Sequence, residues 1–211
     1  MKHLIIIGAG GMGRQLYQCA KNCIGYKDEY DIKGFLDDNT NALDEFDGFP
    51  PILGTIEDYH IQDEDVFINS IGDIKYKKHC VEVIQDRGGK FINLIHPLAS
   101  LPENLKIGIG NVILSRVSIG VETEIGDFNL IQTGAIIGHD VKIGSWSRID
   151  CYVVLVAGVN VEDEVCVHTS SVINHNVRLC KGATVGALSF VIKNVKPGVT
   201  VFGSPAIRIK E

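Results

Sequence analysis

The chain has 211 residues and a mass of 23.0 kDa, which is enough for one large domain or two small ones. With 22% charged and 45% hydrophobic residues, the composition is that of a globular protein and excludes a disordered chain. The net charge of -6, without any basic run, excludes a nucleic-acid partner held through its phosphates.

The apolar segment at the start of the sequence, residues 3–8, is too short for a signal core, and no later segment reaches membrane-spanning length. We therefore expect a cytoplasmic protein. None of the six cysteines forms a CxxC pair or has zinc-finger spacing, which favours free thiols in such a chain.

The first half of the chain predicts alternating strands and helices. The predicted strands cover 3–8, 31–36, 65–71 and 91–95, and the predicted helices cover 14–22 and 75–86. This order predicts an α/β, Rossmann-like half domain. With about 95 residues it is half the size of a full dinucleotide fold, so a mononucleotide or a sugar nucleotide fits better than NAD.

A glycine-rich turn and two further strand ends supply the candidate binding residues of this half. The turn Gly8-Ala9-Gly10-Gly11-Met12-Gly13 matches GxGxxG and lies between a strand and a helix, where a backbone can approach a diphosphate. A carboxylate after the second strand can hold a ribose or a base. The binding candidates are Gly10, Gly11, Met12, Asp37, Asp38 and Gly72. The alternatives are that the glycines serve only the tight turn and that the two acids are solvated strand ends.

In the second half an aliphatic residue returns at every sixth position without a slip in phase. These residues are Ile107, Ile113, Ile119, Ile125, Ile131, Ile137, Ile143, Ile149, Leu155, Val161, Val167, Ile173, Leu179, Val185 and Val191. A period of six suits a triangular coil in which each flat side uses one hexad, so fifteen hexads predict a parallel β-helix of five coils. The alternative is a β-sandwich, which predicts irregular turn spacing.

Residues 18 apart stack in such a prism, so the outward positions can be read as columns. One column is apolar: Ser118, Ile136, Val154, Val172 and Phe190. An exposed apolar stripe on one face predicts self-association, most simply as a homotrimer with three-fold symmetry. The alternative is a helix or a tail that folds over the stripe.

Three motifs together give the sequence a family resemblance. They are the junction Ile95-His96-Pro97, the segment Gly138-His139-Asp140-Val141-Lys142-Ile143-Gly144 and the ending Gly203-Ser204-Pro205-Ala206. With the two predicted domains they resemble the NeuD/PglD-like nucleotide-aminosugar N-acetyltransferases, a family that includes sialic acid O-acetyltransferases. The resemblance implies a left-handed β-helix and three regions: a sugar-nucleotide-binding domain over 1–95, an acetyltransferase β-helix over 96–194, and a C-terminal tail over 195–211.

The resemblance also implies catalytic roles for a histidine and its neighbouring acid. His139 would act as the general base, because an imidazole can take a proton from an attacking amine at neutral pH. Asp140 would orient the ring, which requires a corner of the coil, since adjacent side chains on a straight strand point to opposite sides. Taken without the family, a lone His-Asp pair can equally be a solvated corner. Cys151 lacks an adjacent histidine base and is not predicted to be a nucleophile.

For the acyl donor, acetyl-CoA, the resemblance implies contacts along the coils. An amide of Ala157 or Gly158 would face the oxyanion, and Lys193 would meet phosphates. The expected donor contacts are Arg148, Ala157, Gly158, Thr169, Gly186, Ala187 and Lys193. Gly186 can also be a simple turn former. A metal is not expected, because His139 and His175 are two coils apart and lack the close spacing of γ-type carbonic anhydrases.

The sequence departs from the family at four positions. Met12 and Arg148 stand where histidine is frequent, and Leu188 stands where glycine is favoured. The phrase Val156-Ala157-Gly158 displaces the usual glycine by one residue. These departures bear on substrate and donor contacts and leave the predicted base untouched.

The resemblance thus implies an acetyl-CoA-dependent N-acetyltransferase of bacterial glycan synthesis. Its acceptor would be a nucleotide-linked amino sugar, a UDP- or dTDP-4-amino-4,6-dideoxyhexose. Two alternatives remain open: O-acetylation of sialic acid or another sugar hydroxyl, and a non-catalytic sugar-nucleotide-binding scaffold.

Overall fold

The computed structural model describes residues 1–209, which form two compact units, one up to His96 and one from Pro97 onward. The first unit contains β1 (Lys2–Ile7), α1 (Gly11–Ala20), β2 (Tyr30–Leu36), β3 (Asp65–Asn69), α2 (Ile74–Asp86), β4 (Lys90–Phe91) and β5 (Leu94–Ile95). Its four-stranded sheet is parallel, in the order β2-β1-β3-β4.

The core of the first unit lies on both faces of this sheet. The central strand β1 buries four consecutive aliphatic residues, Leu4 to Ile7, as expected of a parallel strand that is covered on both sides. Helix α1 begins three residues earlier than predicted, at Gly11, because Gly10 takes an extended conformation and is the N-cap. The predicted last strand is divided into β4 and β5.

The second unit is built from short strands that repeat every six residues. They are β6 (Lys106–Ile107), β7 (Val112–Ile113), β8 (Ser118–Ile119), β9 (Glu124–Ile125), β10 (Leu130–Ile131), β11 (Ile136–Ile137), β12 (Lys142–Ile143), β13 (Arg148–Ile149), β14 (Val154–Leu155), β15 (Asn160–Val161), β16 (Cys166–Val167), β17 (Val172–Ile173), β18 (Arg178–Leu179), β19 (Thr184–Val185) and β20 (Phe190–Val191). The predicted period of six is therefore confirmed. The second residue of nearly every strand is buried in a central aliphatic column.

These strands form the three flat faces of a prism. Face I contains β7, β10, β13, β16 and β19; face II contains β8, β11, β14, β17 and β20; face III contains β6, β9, β12, β15 and β18. Within each face, residues 18 apart are partners in parallel pairs, for example Ile136 with Val154. The predicted columns are thus confirmed. Strands β21 (Thr200–Gly203) and β22 (Ala206–Arg208) extend face I, β21 parallel to β19 and β22 antiparallel to β21.

The corners between the faces are sharp because one residue in each hexad has a positive φ. These left-handed residues recur every six positions from Gly110 to Leu188, and ten of the fourteen are not glycine. Each of the ten residues other than glycine costs about 1–2 kcal/mol relative to an ordinary conformation, which the stacked coils must offset. We call the corners I/II, II/III and III/I after the faces that they join. Among the described residues, no helix is long and apolar enough to cross a membrane.

Candidate active site

The candidate base and its neighbouring acid lie at corner II/III of the prism. Asp140 has a φ of 58°, which turns the chain at this point. The turn brings the carboxylate Oδ2 of Asp140 to 2.5 Å from the imidazole Nδ1 of His139. Both side chains are more than 60% exposed. The two predicted catalytic residues are therefore in contact, and the contact is made at a corner of the coil, as the sequence analysis requires.

This contact determines which nitrogen of His139 can take a proton. Since the carboxylate accepts a hydrogen bond from Nδ1–H, the lone pair of the neutral ring is on Nε2, on the opposite side. Nε2 has no partner among residues 1–209. An imidazole held in this tautomer, with an open Nε2, is suited to general-base catalysis.

Corner III/I differs from the other two corners, because its backbone amides are capped by side chains. Asp127 accepts from the amide of Ile109 at 2.8 Å, Ser145 Oγ from the amide of Asp127 at 2.9 Å, and Asp163 from the amide of Ser145 at 2.8 Å. These side chains are 18 residues apart, so each coil caps the one below. This corner leaves few backbone donors for a ligand.

At corners I/II and II/III the corresponding amides stay open. The N–H groups of Ala157, Thr169 and Ala187 have no acceptor within the described residues. By contrast, the amide of Gly158 donates to the carbonyl of His139 at 3.0 Å, and that of Gly186 donates to Val201 at 2.8 Å. Of the two candidate oxyanion donors, only Ala157 therefore has a free N–H, and it lies one coil above His139.

The remaining predicted donor residues lie in different surroundings. A Cβ at Gly186 would come 2.5 Å from a ring carbon of Phe202, so packing explains this glycine. Lys193 lines a pocket of about 260 Å³ together with Lys196 and Arg208. In the described part of the chain no acidic side chain lines this pocket. Three cations without a counterion suit phosphate groups.

Arg148 is part of a polar network that sequence analysis did not find. Its Nε donates to Asp150 Oδ1 at 2.5 Å, and the same oxygen accepts from Gln132 at 2.5 Å. The other oxygen, Oδ2, lies 3.0 Å from Nδ1 of His168. The prism stacks three of these residues in one column at corner I/II: Gln132, Asp150 and His168. Their spacing of 18 residues is the sequence pattern that could have indicated the network.

The glycine turn of the first unit divides into structural and open positions. Gly8 has a φ of 95°, and a Cβ at Gly13 would lie 1.9 Å from the carbonyl oxygen of Gly8, so both positions require glycine. A Cβ at Gly10 or Gly11 would meet nothing within 4 Å. The first turn of α1 therefore opens onto free space, and the helix N-terminus there favours an anion.

The two acids after β2 have internal partners. Asp37 accepts the amide of Ala9 in the glycine turn at 2.7 Å, and thereby fixes that turn. Asp38 accepts from the hydroxyl of Tyr76, and burial together with this bond raises the pKa of Tyr76. Gly72 is exposed, with open space where a Cβ would be, and Met12 is half-buried.

A cation beside the glycine turn was also missed by the sequence analysis. Arg14 donates to the carbonyl of Ala9 at 3.3 Å, and its guanidinium lies 3.6 Å from the ring centre of Phe46. No sequence pattern links these residues, because Phe46 belongs to an irregular loop.

The cysteines and histidines provide no other evident site. All six cysteines are free thiols, and Cys151 lies 3.4 Å from the side-chain oxygen of Gln132. Burial and the charge of Asp150 raise the pKa of Cys166, so this thiol is not activated. Across residues 1–209 no group of three or more His, Cys, Asp or Glu side chains is arranged to hold a metal ion.

Comparisons with known proteins relate both units to acetyltransferases. A family model, the PglD N-terminal domain, matches residues 3–84. The acetyltransferase domain of PglB from Neisseria gonorrhoeae, in complex with acetyl coenzyme A, is 25% identical with a TM-score of 0.89, and the match covers 99% of each chain. PerB from Caulobacter crescentus, in complex with CoA and GDP-perosamine, is 22% identical with a TM-score of 0.89, covering 100% of this chain and 98% of that one.

A curated relative matches over a shorter stretch. An uncharacterised protein of Acanthamoeba polyphaga mimivirus is 27% identical over 127 residues. These residues are 60% of this chain, and the match spans only about a quarter of that relative, 24% of its length. The predicted fold class, an α/β Rossmann-like half domain followed by a left-handed parallel β-helix of hexapeptide repeats, is confirmed by the two solved structures. Residues 3–84 thus match the PglD N-terminal domain, and the whole chain has the fold of the PglB acetyltransferase domain, in agreement with the family resemblance of the sequence.

Proposed function

We propose that the protein is an acetyl-CoA-dependent N-acetyltransferase that acts on a nucleotide-linked amino sugar. The observation that carries this proposal is the contact of His139 with Asp140 at a corner of the prism, one coil below the open amide of Ala157. A base and an oxyanion donor on adjacent coils are the two groups that acyl transfer to an amine requires.

The open amides at corner I/II and the cationic pocket support acetyl-CoA as the donor. Thr169 and Ala187 offer free N–H groups on successive coils, about 4.8 Å apart, a spacing that suits an extended pantetheine arm. Lys193, Lys196 and Arg208 supply positive charge for the phosphates. Likeness to PglB bound to acetyl coenzyme A and to PerB bound to CoA points to the same donor.

For the acceptor, the first unit offers the open start of α1 and the acids that follow β2. The free space at Gly10 and Gly11 suits a diphosphate. PerB, which has the same fold, is in complex with GDP-perosamine in its solved structure. We assign the acceptor to the UDP- or dTDP-4-amino-4,6-dideoxyhexoses. Asp37 and Asp38 retain lone pairs for ribose or base donors beside their internal bonds.

The proposed reaction is a direct transfer. The neutral amine attacks the thioester carbonyl, and a C–N bond forms as Nε2 of His139 takes the proton of the amine. The amide of Ala157 donates to the oxyanion of the tetrahedral intermediate. The C–S bond then breaks, and the imidazolium returns its proton to the CoA thiolate. Asp140 holds the ring in place through its contact with Nδ1.

The assembly that we propose is a homotrimer formed through face II. The outward residues Ile136 and Phe190 on this face are 50% and 38% exposed, with Val154 and Val172 between them. A continuous apolar stripe of this kind favours contact with further copies. Corner II/III, with His139, borders this face, so the base would lie at a boundary between subunits.

The test is an acetylation assay with the purified protein, acetyl-CoA and a panel of UDP-, dTDP-, GDP- and CMP-linked sugars. CoA release and the mass of the product report transfer. We expect acetylation of a 4-amino sugar nucleotide, and in His139→Ala the rate should fall to about 1% of the wild-type rate or less. The matched control is His175→Ala, an exposed histidine two coils above His139 in the same column. If no amino sugar is acetylated, or if His139→Ala retains the wild-type rate, the proposal is wrong.

A further inference from the structure

The network around Asp150 contains a buried carboxylate that contacts an outward-facing side chain, Arg148. Asp150 is only 4% exposed, yet its carboxylate has three side-chain partners: Gln132, Arg148 and His168. A buried carboxylate is costly unless it is paired, and an apolar residue at this position would avoid the cost. Its presence therefore calls for a role beyond packing.

The geometry of the network fixes the direction of a guanidinium. Asp150 is engaged with Nε of Arg148, while Nη1 and Nη2 have no acceptor among residues 1–209. Although partial burial opposes the charge, the hydrogen bond and charge of Asp150 raise the pKa of Arg148. Arginine loses much rotational freedom when it binds, so a guanidinium that is already anchored presents its free donors at a lower entropic cost.

The anchored guanidinium belongs to strand β13 of face I, which leads into corner I/II. Asp150 directly precedes Cys151 at this corner. His168 directly precedes Thr169, whose amide is open, and its imidazole bonds to the second oxygen of the Asp150 carboxylate. The side chains of Arg148 and His168 are 46% and 40% exposed, whereas the carboxylate that joins them is 6% exposed. A buried anchor thus holds two nitrogen-bearing groups at the surface, next to free N–H groups.

A nucleophilic triad of Cys166, His168 and Asp150 does not fit this geometry. The sulfur of Cys166 is almost equally far from both ring nitrogens, at 3.7 and 3.8 Å, so neither nitrogen points at it. Burial and the charge of Asp150 raise the pKa of this thiol, which disfavours the thiolate. The network is therefore better suited to orienting a side chain than to forming an acyl-enzyme.

We infer that Asp150 is a positioning residue for the acyl donor: it holds Arg148 in the orientation in which its free guanidinium nitrogens bind the oxygen atoms of acetyl-CoA. Gln132 and His168 complete the hydrogen bonds of the carboxylate and keep it in place. This inference rests on the proposed function and extends the donor site to three residues that no sequence motif indicates.

A double-mutant cycle on acetyl transfer tests the inference. Asp150→Asn keeps the size of the side chain but removes its charge, and we expect it to raise the KM for acetyl-CoA about tenfold with little change in kcat. Arg148→Ala should have a similar effect. If Asp150 acts through Arg148, the double variant is no worse than Arg148→Ala alone. If the two effects multiply, or if Asp150→Asn leaves KM unchanged, the inference is wrong.

Two further variants separate positioning from folding. Asp163→Asn is the matched control, because Asp163 also accepts a hydrogen bond at a corner but lies at the capped corner III/I; its KM should equal that of the wild type. Arg148→Lys keeps the charge on a half-exposed side chain and loses the planar Nε–H donor, so it should fold normally and raise KM as Arg148→Ala does. A wild-type KM in Arg148→Lys would overturn the inference even if Asp150→Asn failed to fold.

The outcome of this experiment is distinguishable from that of the proposed function. If the wild-type protein transfers no acetyl group and does not bind CoA in a calorimetric titration, the proposed function and the inference fail together. If the wild-type protein is active and the cycle is additive, only the role of Asp150 is refuted.

Discussion

His139 and Asp140 are neighbours in the chain, yet the imidazole Nδ1 of one lies 2.5 Å from the carboxylate of the other. An extended strand would send these side chains in opposite directions, and it is the positive φ of Asp140 that brings them together. The same conformation recurs at the equivalent position of every hexad from Gly110 to Leu188. The repeat that builds the prism therefore also creates the candidate catalytic pair.

The first prediction concerns the carboxylate of Asp140. Asp140→Asn preserves the shape of the side chain, and asparagine tolerates a positive φ. Asp140→Gly removes the side chain at a position where the positive φ favours glycine. Since Asp140 is exposed, both variants should keep their free energy of unfolding within about 0.5 kcal/mol in a urea titration. Both should lower kcat for acetyl transfer at least about tenfold, because the ring of His139 is no longer oriented. Wild-type kcat in both variants would refute the role of Asp140.

The second prediction concerns Leu188, which has a φ of 59° and is 75% exposed. Leu188→Gly removes a side chain in a strained conformation, although glycine also makes the unfolded chain more flexible. The net effect should be a gain of up to about 1 kcal/mol in the free energy of unfolding. Because Leu188 directly follows the open amide of Ala187, the KM for acetyl-CoA should fall as well.

These two effects of Leu188→Gly are measured independently, by thermal melts and by initial rates. A matched control is Tyr152→Gly, which also replaces an exposed residue of positive φ at corner I/II. It should change stability in the same direction and leave KM nearly unchanged. An unchanged KM in Leu188→Gly would show that this side chain does not obstruct the binding of acetyl-CoA at corner I/II.

The sequence was sufficient for the prism because its signal is geometric. A strict period of six places each aliphatic residue inside and each outward residue in a column, so the partners 18 residues apart, such as Ile136 and Val154, follow directly. The dyad of His139 and Asp140 was also within reach, since it needs only the position of a corner.

The rest depends on side-chain conformations that periodicity does not contain. Asp127 and Asp150 are both acids near corners, but the first caps a backbone amide and the second holds a guanidinium. Likewise, Asp37 is predicted to contact a ligand, and the sequence does not show that one of its oxygens also accepts the amide of Ala9. Whether an acid bonds to the backbone, to another side chain or to a ligand is decided by local competition, which a single sequence does not show.

The third prediction concerns the apolar stripe on face II. Ile136→Glu places a charge in the middle of the stripe, where burial against another subunit would leave it unpaired. Sedimentation velocity should show a trimer for the wild type and a monomer for this variant, and acetyl transfer should be lost with the assembly. Asn160→Glu is the control, because it adds the same charge to face III. A monomeric wild-type protein at micromolar concentration would contradict the proposed assembly.

The last prediction separates the structural glycines of the turn after β1 from the open ones. Gly13→Ala puts a Cβ against the carbonyl oxygen of Gly8, at 1.9 Å in the present backbone, so the helix must move away from the strand. We expect a loss of about 2 kcal/mol or more in the free energy of unfolding. Gly11→Ala instead adds a methyl group in open space at the first residue of α1, where alanine is the better helix former, and should be as stable as the wild type or more so.

Ligand binding, in contrast to stability, should be impaired by Gly11→Ala. If the open space at Gly11 receives the diphosphate of a sugar nucleotide, the added methyl group of Gly11→Ala obstructs it, and the thermal shift that the wild type shows with its sugar nucleotide should largely disappear. A folded Gly11→Ala protein with full ligand stabilisation would place the nucleotide elsewhere. Because Gly11→Ala is expected to be at least as stable as the wild type, loss of binding in this variant cannot be attributed to unfolding and must come from the space above the helix N-terminus.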